Sequence, residues 1–140
     1  MKKIVVIGGG PAGMMAAISS AKMSHDVVLL EGNEKLGKKL YITGKGRCNV
    51  TNGRDISEFF DYIPGNPHFL YSALYTYTNN DVINFFEDLG VKLKVERGMR
   101  VFPQSDKSSD IIKALSKKLS KAKVDIRLNS KVTDVFFEND

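Results

Sequence analysis

Ile4-Val5-Val6-Ile7-Gly8-Gly9-Gly10-Pro11-Ala12-Gly13-Met14-Met15-Ala16-Ala17-Ile18 is the stretch on which the fold turns. Four apolar residues suit a buried strand, and they run directly into glycines at 8, 10 and 13. That is the G-x-G-x-x-G spacing. Gly8 permits a tight turn, Gly10 lets the backbone approach a pyrophosphate, and Gly13 lets helix and strand pack closely. The small and apolar residues after Pro11 predict a helix. A second apolar run, Val27-Val28-Leu29-Leu30, ends on Glu31, which lies 18 residues past Gly13. A carboxylate that holds a ribose hydroxyl is expected ~20 residues on. Residues 1–31 therefore read as the βαβ start of a dinucleotide-binding domain.

Size and composition set bounds around this start. At 140 residues with 42% hydrophobic content, the chain can build a core of its own. Its 21 basic and 16 acidic residues leave a formal charge of +5. The lysines are scattered rather than blocked, which favours a solvated surface over a nucleic-acid partner. An aromatic-and-basic stripe of the kind that single strands use is also missing. Cys48 is the lone cysteine, so an internal disulfide and a C-x-x-C pair are excluded, and a reducing cytoplasm is the expected location. Met1-Lys2-Lys3 resembles the start of a leader, but glycines and Pro11 interrupt the apolar run after Ile7. No apolar stretch reaches the ~18 residues that span a membrane. His25 and His68 stand apart and form no ligand pattern, so no metal is expected.

Beyond Glu31 the pattern changes. Residues 32–54 are rich in glycine and lysine and read as a long loop with little regular structure, a feature that is usually functional. Tyr62 to Pro67 reads as a turn region. Asn80 to Leu89 places Val82, Ile83, Phe85, Phe86 and Leu89 on an apolar face, with Gly90 as a stop and Thr78 and Asp81 at capping spacing. Ser109 to Lys121 sets Ile111, Ile112, Leu115 and Leu119 against a lysine-rich remainder. Between these helices, Lys92 to Glu96 alternates like a strand that turns back through Arg97-Gly98-Met99-Arg100 into Val101-Phe102. Val124 to Leu128 and Lys131 to Phe137 alternate too. Asn139-Asp140 then reads as the opening of a hairpin turn, which would leave an unpaired edge. The sequence thus reads as the N-terminal part of a longer protein, with the remainder of the same polypeptide as an expected partner.

Tyr41-Ile42-Thr43-Gly44-Lys45-Gly46-Arg47-Cys48-Asn49-Val50-Thr51-Asn52 is the most distinctive segment. Together with the glycine turn and Arg100-Val101-Phe102-Pro103-Gln104-Ser105-Asp106-Lys107, it resembles the HI0933-like flavoproteins. These are FAD-dependent oxidoreductases with a glutathione-reductase-like FAD domain. Their pattern is close to S-G-G-G-R-C-N-V-T-N; here Thr43 stands for the serine and Lys45 for the middle glycine. The resemblance runs along essentially the whole chain and about the first third of a family member, whose roughly 400 residues suit several domains.

The resemblance implies an α/β, Rossmann-type FAD-binding domain with a parallel sheet, helices on both faces and a β-meander beginning near Lys131. It divides the chain into a βαβ part with flavin loop (1–52), a partial inserted or cap segment (53–103), and a return to the FAD domain (104–140). It implies that Gly8, Gly10, Pro11, Ala12 and Gly13 cradle the FAD pyrophosphate at a helix N-terminus. Glu31 would hold the adenosine ribose and repel a 2′-phosphate. Gly37, Lys38 and Lys39 would follow the diphosphate and ribityl chain. Arg47, Cys48 and Asn49 would lie near the isoalloxazine ring, where an arginine steadies negative charge and an asparagine can donate and accept. Cys48 reads as a packed thiol. Val132 would meet adenine through its backbone.

FAD is thus the implied cofactor, NAD(P)H the candidate donor and a small molecule the expected substrate. No catalytic nucleophile or acid–base pair is assigned. The rival readings are a simple NAD-binding domain, which gives residues 44–52 no role, an RNA-associated flavoprotein of the tRNA-modification type, and a folded portion without activity of its own.

Overall fold

The β-branched and leucine side chains of Lys3–Ile7 (β1) and Asp26–Leu30 (β2) pair in parallel, in register from Lys3↔Asp26 to Ile7↔Leu30. Parallel neighbours need a crossover, which Pro11–Lys22 (α1) supplies, with Met14, Ala17 and Ile18 buried along one side. The computed structural model describes residues 1–137, so the expected turn at Asn139-Asp140 lies outside the described residues. Next come Lys38–Ile42 (α2), Thr51–Asn52 (β3), Tyr71–Thr76 (α3), Asn79–Asp88 (α4), Leu93–Glu96 (β4), Arg100–Pro103 (β5), Ser108–Lys121 (α5) and Asp125–Arg127 (β6). Two compact units result. One joins residues 1–41 with residues 115 onward, and the other is residues 42–114.

The first unit holds the parallel sheet β1-β2-β6, with β6 returning beside β2 at Leu29↔Ile126. Its core includes Leu29, Val28, Ile18 and Met14 together with Leu115 and Leu119 of α5. Val5 and Ile7, on the other face of β1, stay more than half exposed. Residues 131–137 form no strand, contrary to the meander expected from Lys131. Alternation tells which way each side chain would face, but a strand is made by pairing, and no described strand lies alongside. Val135, Phe136 and Phe137 are exposed.

In the second unit, β3, β5 and β4 form an antiparallel sheet in that order. The β4–β5 hairpin turns where the sequence predicts, through Gly98 and Met99, both at positive φ. The expected capping pair is a complete box: the Asp81 N–H donates to Thr78 Oγ1 at 3.2 Å, and the Thr78 N–H donates to Asp81 Oδ2 at 2.7 Å. Gly90, at φ +83, ends α4 in a Schellman arrangement, with its N–H on the Glu87 carbonyl and the Val91 N–H on Phe86. Asn79 ties α4 to β3 by donating to the Asn52 and Arg54 carbonyls, both at 2.8 Å. The rings of Phe60, Tyr71 and Tyr75 stack with centroids 4.6–5.9 Å apart.

Residues 32–54 are more ordered than a long loop. They contain α2, a tight turn over Thr43–Gly46 with Gly44 and Lys45 in left-handed backbone, and β3. The expected break at 52/53 falls just after β3, yet β3 pairs with β5, so the segment from 42 onward belongs to the second unit. No described helix is long and apolar enough to cross a membrane.

Candidate functional site: the glycine turn and the Arg47 loop

The glycine turn lies where β1 ends. Gly8 is at φ +98, and its N–H donates to the Leu30 carbonyl at 2.8 Å, which fixes the turn against β2. A Cβ on Gly13 would overlap the Gly8 carbonyl oxygen, so glycine there is a packing requirement of the turn itself. Gly10 is different. It caps α1 at φ −75, ψ 178, a conformation open to any residue, and a Cβ on it would meet nothing within 4 Å. No side chain caps this helix, its first turn carries no acid, and Pro11 occupies its first position. The site is therefore an uncapped helix N-terminus facing open space, suited to an anion.

Glu31 sits beside it, nine-tenths buried. Its Oε2 accepts the Gly9 N–H at 2.6 Å, and its Oε1 accepts the Asn33 N–H at 2.8 Å and Asn33 Nδ2 at 2.6 Å. Burial disfavours the ionised carboxyl, but these donors outweigh it and hold the group below its ordinary range. The Gly9 carbonyl in turn accepts the Gly37 N–H at 2.9 Å, which brings the start of α2 to the turn. Lys38 is spent locally, on Asn33 Oδ1 at 3.2 Å and on Glu34 at 3.6 Å, while Lys39 is exposed. Residues 127–131 close from the far side. Glu31 N–H donates to the Arg127 carbonyl, and Ser130 N–H donates to the Glu31 carbonyl. Val132 follows this crossing and makes no hydrogen bond to the turn among the described residues.

The structure thus gathers Gly8, Gly10, Pro11, Ala12, Gly13, Glu31 and Gly37. Gly9 and Asn33, which hold Glu31, are missing from the sequence reading. Gly9 occupies a variable place in the motif, so the spacing is silent about it. An asparagine two residues after an acid is a recurrent local partner, and that signal was available.

Arg47, Cys48 and Asn49 belong to the second unit. Their loop is held in left-handed backbone at Gly44, Lys45, Gly46 and Cys48. A Cβ on Gly44 would press on the Asn49 nitrogen and the Phe102 ring. Arg47 donates to both Glu96 oxygens at 3.0 and 3.1 Å and to Asp106 at 3.2 Å, with its guanidinium 4.2 Å over Phe102. Lys94 completes the network on Asp106 at 2.6 Å and on Glu96 at 3.2 Å. Lys94 and Arg47 hold the carboxyls of Glu96 and Asp106 below their usual range. Asn49, oriented to satisfy its hydrogen bonds, gives its amide nitrogen to the Thr51 and Val101 carbonyls. Cys48 is 4% exposed, and burial pushes its thiol up against a lowering hydrogen bond with Thr43. A thiol kept protonated in this way is not a nucleophile at neutral pH. These three residues brace their loop on the β4–β5 hairpin.

Residues 2–140 match the family model described as the HI0933-like protein Rossmann domain. Among curated proteins, the chain is 36% identical over 128 residues to the 3-dehydro-bile acid delta(4,6)-reductase of Clostridium scindens, covering 90% of this chain and 31% of that protein. It is 31% identical over 131 residues to the ribosomal RNA dihydrouridine synthase of Haemophilus influenzae, covering 94% and 32%. The chain therefore spans about a third of the length of these relatives. Among solved structures, the open conformation of a flavocytochrome c3 fumarate reductase matches with a TM-score of 0.63 at 22% identity, over 97% of this chain and 28% of that one. The 3-ketosteroid-delta4-(5alpha)-dehydrogenase of Rhodococcus jostii RHA1 matches at 0.58 and 16%, over 89% and 37%. Both support the Rossmann-type fold.

Proposed function

The chain belongs to the HI0933-like Rossmann family, and on that premise we propose that it is the FAD-binding part of an oxidoreductase. One observation carries the reading: Gly10 faces open space at an uncapped helix N-terminus, beside a buried carboxylate. Among the described residues nothing requires glycine at position 10, because its backbone is ordinary and a Cβ there would meet nothing within 4 Å. A pyrophosphate approaching the first N–H groups of α1 supplies the missing reason. Glu31 fits the ribose. Its Oε1 is occupied by Asn33, while Oε2 accepts the Gly9 N–H and keeps acceptor capacity for a hydroxyl. Its negative charge disfavours a 2′-phosphate. The backbone of Val132 is available to adenine, and Lys39 to phosphate.

When bound, the flavin supplies transfer of hydride or electrons between a nicotinamide nucleotide or small organic substrate and an acceptor. The protein's own part is to bind and orient. Arg47 acts through the loop it braces, not as a free charge, and the neutral Asn49 braces the same loop. We place this chemistry in the cytoplasm, where a lone, buried, reduced Cys48 is stable. Substrate choice is a property of the full-length protein, of which this chain matches about a third in the relatives.

Titration of the purified protein with FAD, followed by its visible bands and by fluorescence quenching, tests the proposal, with NAD run as the competitor. Saturable FAD binding that Gly10→Ala weakens is expected. A protein that ignores FAD and takes up NAD tightly overturns it.

A further inference from the structure

The charge of this chain is not spread as its sequence suggests. Residues 42–114 carry 9 basic and 9 acidic side chains, whereas the nucleotide-binding unit carries 12 basic against 7 acidic. The whole excess of +5 therefore sits in the first unit. Within it, the glycine turn and Glu31 follow the C-terminal ends of β1 and β2. The opposite end collects the starts of the strands and the ends of α1 and α5. Lys2 and Lys3 open β1, Lys22 ends α1, and Lys118, Lys121 and Lys123 end α5 or follow it. None of these six lysines is in an ion pair among the described residues, in contrast to Arg47, Arg54 and Lys94 of the other unit. The acids at this end are few, and Asp125 is already held by Arg127 at 2.8 Å.

Between the two helix ends lies a cleft of about 230 Å³, with Lys22, Lys118 and Lys121 around Ile18, Ala21 and Ala122. Lysines in a last turn ordinarily answer the helix dipole. Two helix C-termini supply only about one negative charge together, so three ammonium groups overshoot that role by about two charges. The surroundings narrow what could answer them. The large exposed apolar side chains at this end are Met1 and Met23. Among the described residues it has no exposed aromatic ring to stack on bases and no exposed Trp, Phe or Leu to enter a lipid interface.

We propose that this cleft docks a phosphate of a nucleic-acid duplex backbone, with Lys2, Lys3 and Lys123 on neighbouring phosphates. The surface reads phosphate spacing rather than base identity. It is also separate from the glycine turn, so it stands or falls independently of the flavin reading.

Fluorescence anisotropy with a labelled RNA duplex and a labelled DNA duplex, at a series of salt concentrations, tests the proposal. Each contacted phosphate contributes about −0.9 to the slope of log affinity on log salt. The triple variant Lys22→Gln, Lys118→Gln, Lys121→Gln is expected to flatten the slope by about 0.9, for the one phosphate the cleft docks, and to weaken binding at least tenfold. A control with the same charge loss, Lys92→Gln, Lys107→Gln, Lys113→Gln, is expected to stay within about twofold of the parent. Thermal melts of both variants establish that they are folded. RNA preferred over DNA, or the reverse, identifies the source of the phosphates. Equal losses in the two triples, no duplex binding by the parent at low salt, or binding only to phosphatidylserine vesicles each overturns the proposal.

Discussion

Two glycines of one motif have different causes, and two substitutions separate them. Gly13→Ala drives a methyl group into the Gly8 carbonyl. It is expected to destabilise the chain at the upper end of the ~1–3 kcal/mol that overpacking costs, measured by denaturant unfolding. Gly10→Ala meets no atom and keeps an allowed backbone. Losing a good cap residue and stiffening the unfolded chain nearly cancel, so stability should stay within about 0.5 kcal/mol. FAD affinity should nonetheless fall tenfold or more, about 1.4 kcal/mol. Glu31 yields a prediction with a pH sign. Its carboxyl is depressed in the folded state, so its contribution is complete above its unfolded value, about 4.3. That contribution is lost as pH falls through the lower folded value. Melting temperature should therefore drop steeply under acid in the parent and less steeply in Glu31→Gln. At neutral pH the variant sets an amide against the Gly9 or Asn33 donors and is expected to lose about 1 to 3 kcal/mol. The position of Glu31 beside the glycine turn was legible from its distance to the glycines. The part of Gly9 was not, because the spacing rule leaves that place variable, and Asn33 was signalled only by its place two residues after Glu31, a cue outside the rule.

Where one element's local chemistry is complete, its sequence was enough. The box at Thr78 and Asp81 and the stop at Gly90 delimit α4 to within a residue, since both ends are closed by neighbours in the chain. Thr78→Ala is expected to cost about 1 kcal/mol, seen as faster amide exchange in the first turn of α4. The misreadings concern segments whose structure depends on distant partners. Thr51–Asn52 becomes β3 only because Val101 lies across from it. Residues 131–137 alternate but have no strand to join. Arg47, expected near the isoalloxazine ring, likewise meets partners distant in sequence, the carboxylates of residues 96 and 106. Arg47→Lys keeps the charge but loses the fork and the stack on Phe102. The buried Cys48 thiol should then react with an alkylating probe about tenfold faster, one decade in the local opening equilibrium. An unchanged rate would show that the loop is held by Gly44 and Asn49 alone.

For the whole molecule, the fold class was visible from the first strand, turn and helix, whereas the partition into units was not, because it is decided by which strands pair. Among the described residues the sheet order leaves β1 at an edge, and Val5 and Ile7 are exposed on one of its faces. Such an edge invites association. Sedimentation velocity is expected to show concentration-dependent self-association that Ile7→Thr reduces. The pairing of β2 with β6 carries one more consequence, for synthesis. Leu29 finds its partner only at Ile126, and Glu31 is braced by the backbone of Arg127 and Ser130. Residues 42–114 lie wholly between them. On the ribosome, then, the nucleotide-binding unit is begun first and finished last. About 100 residues must be added after Leu29 before Ile126 is made, a wait of ~5–20 s at ordinary elongation rates. During that wait the interposed unit can fold to completion, while the glycine turn has a strand, a helix and an acid but not yet the backbone that holds them in place.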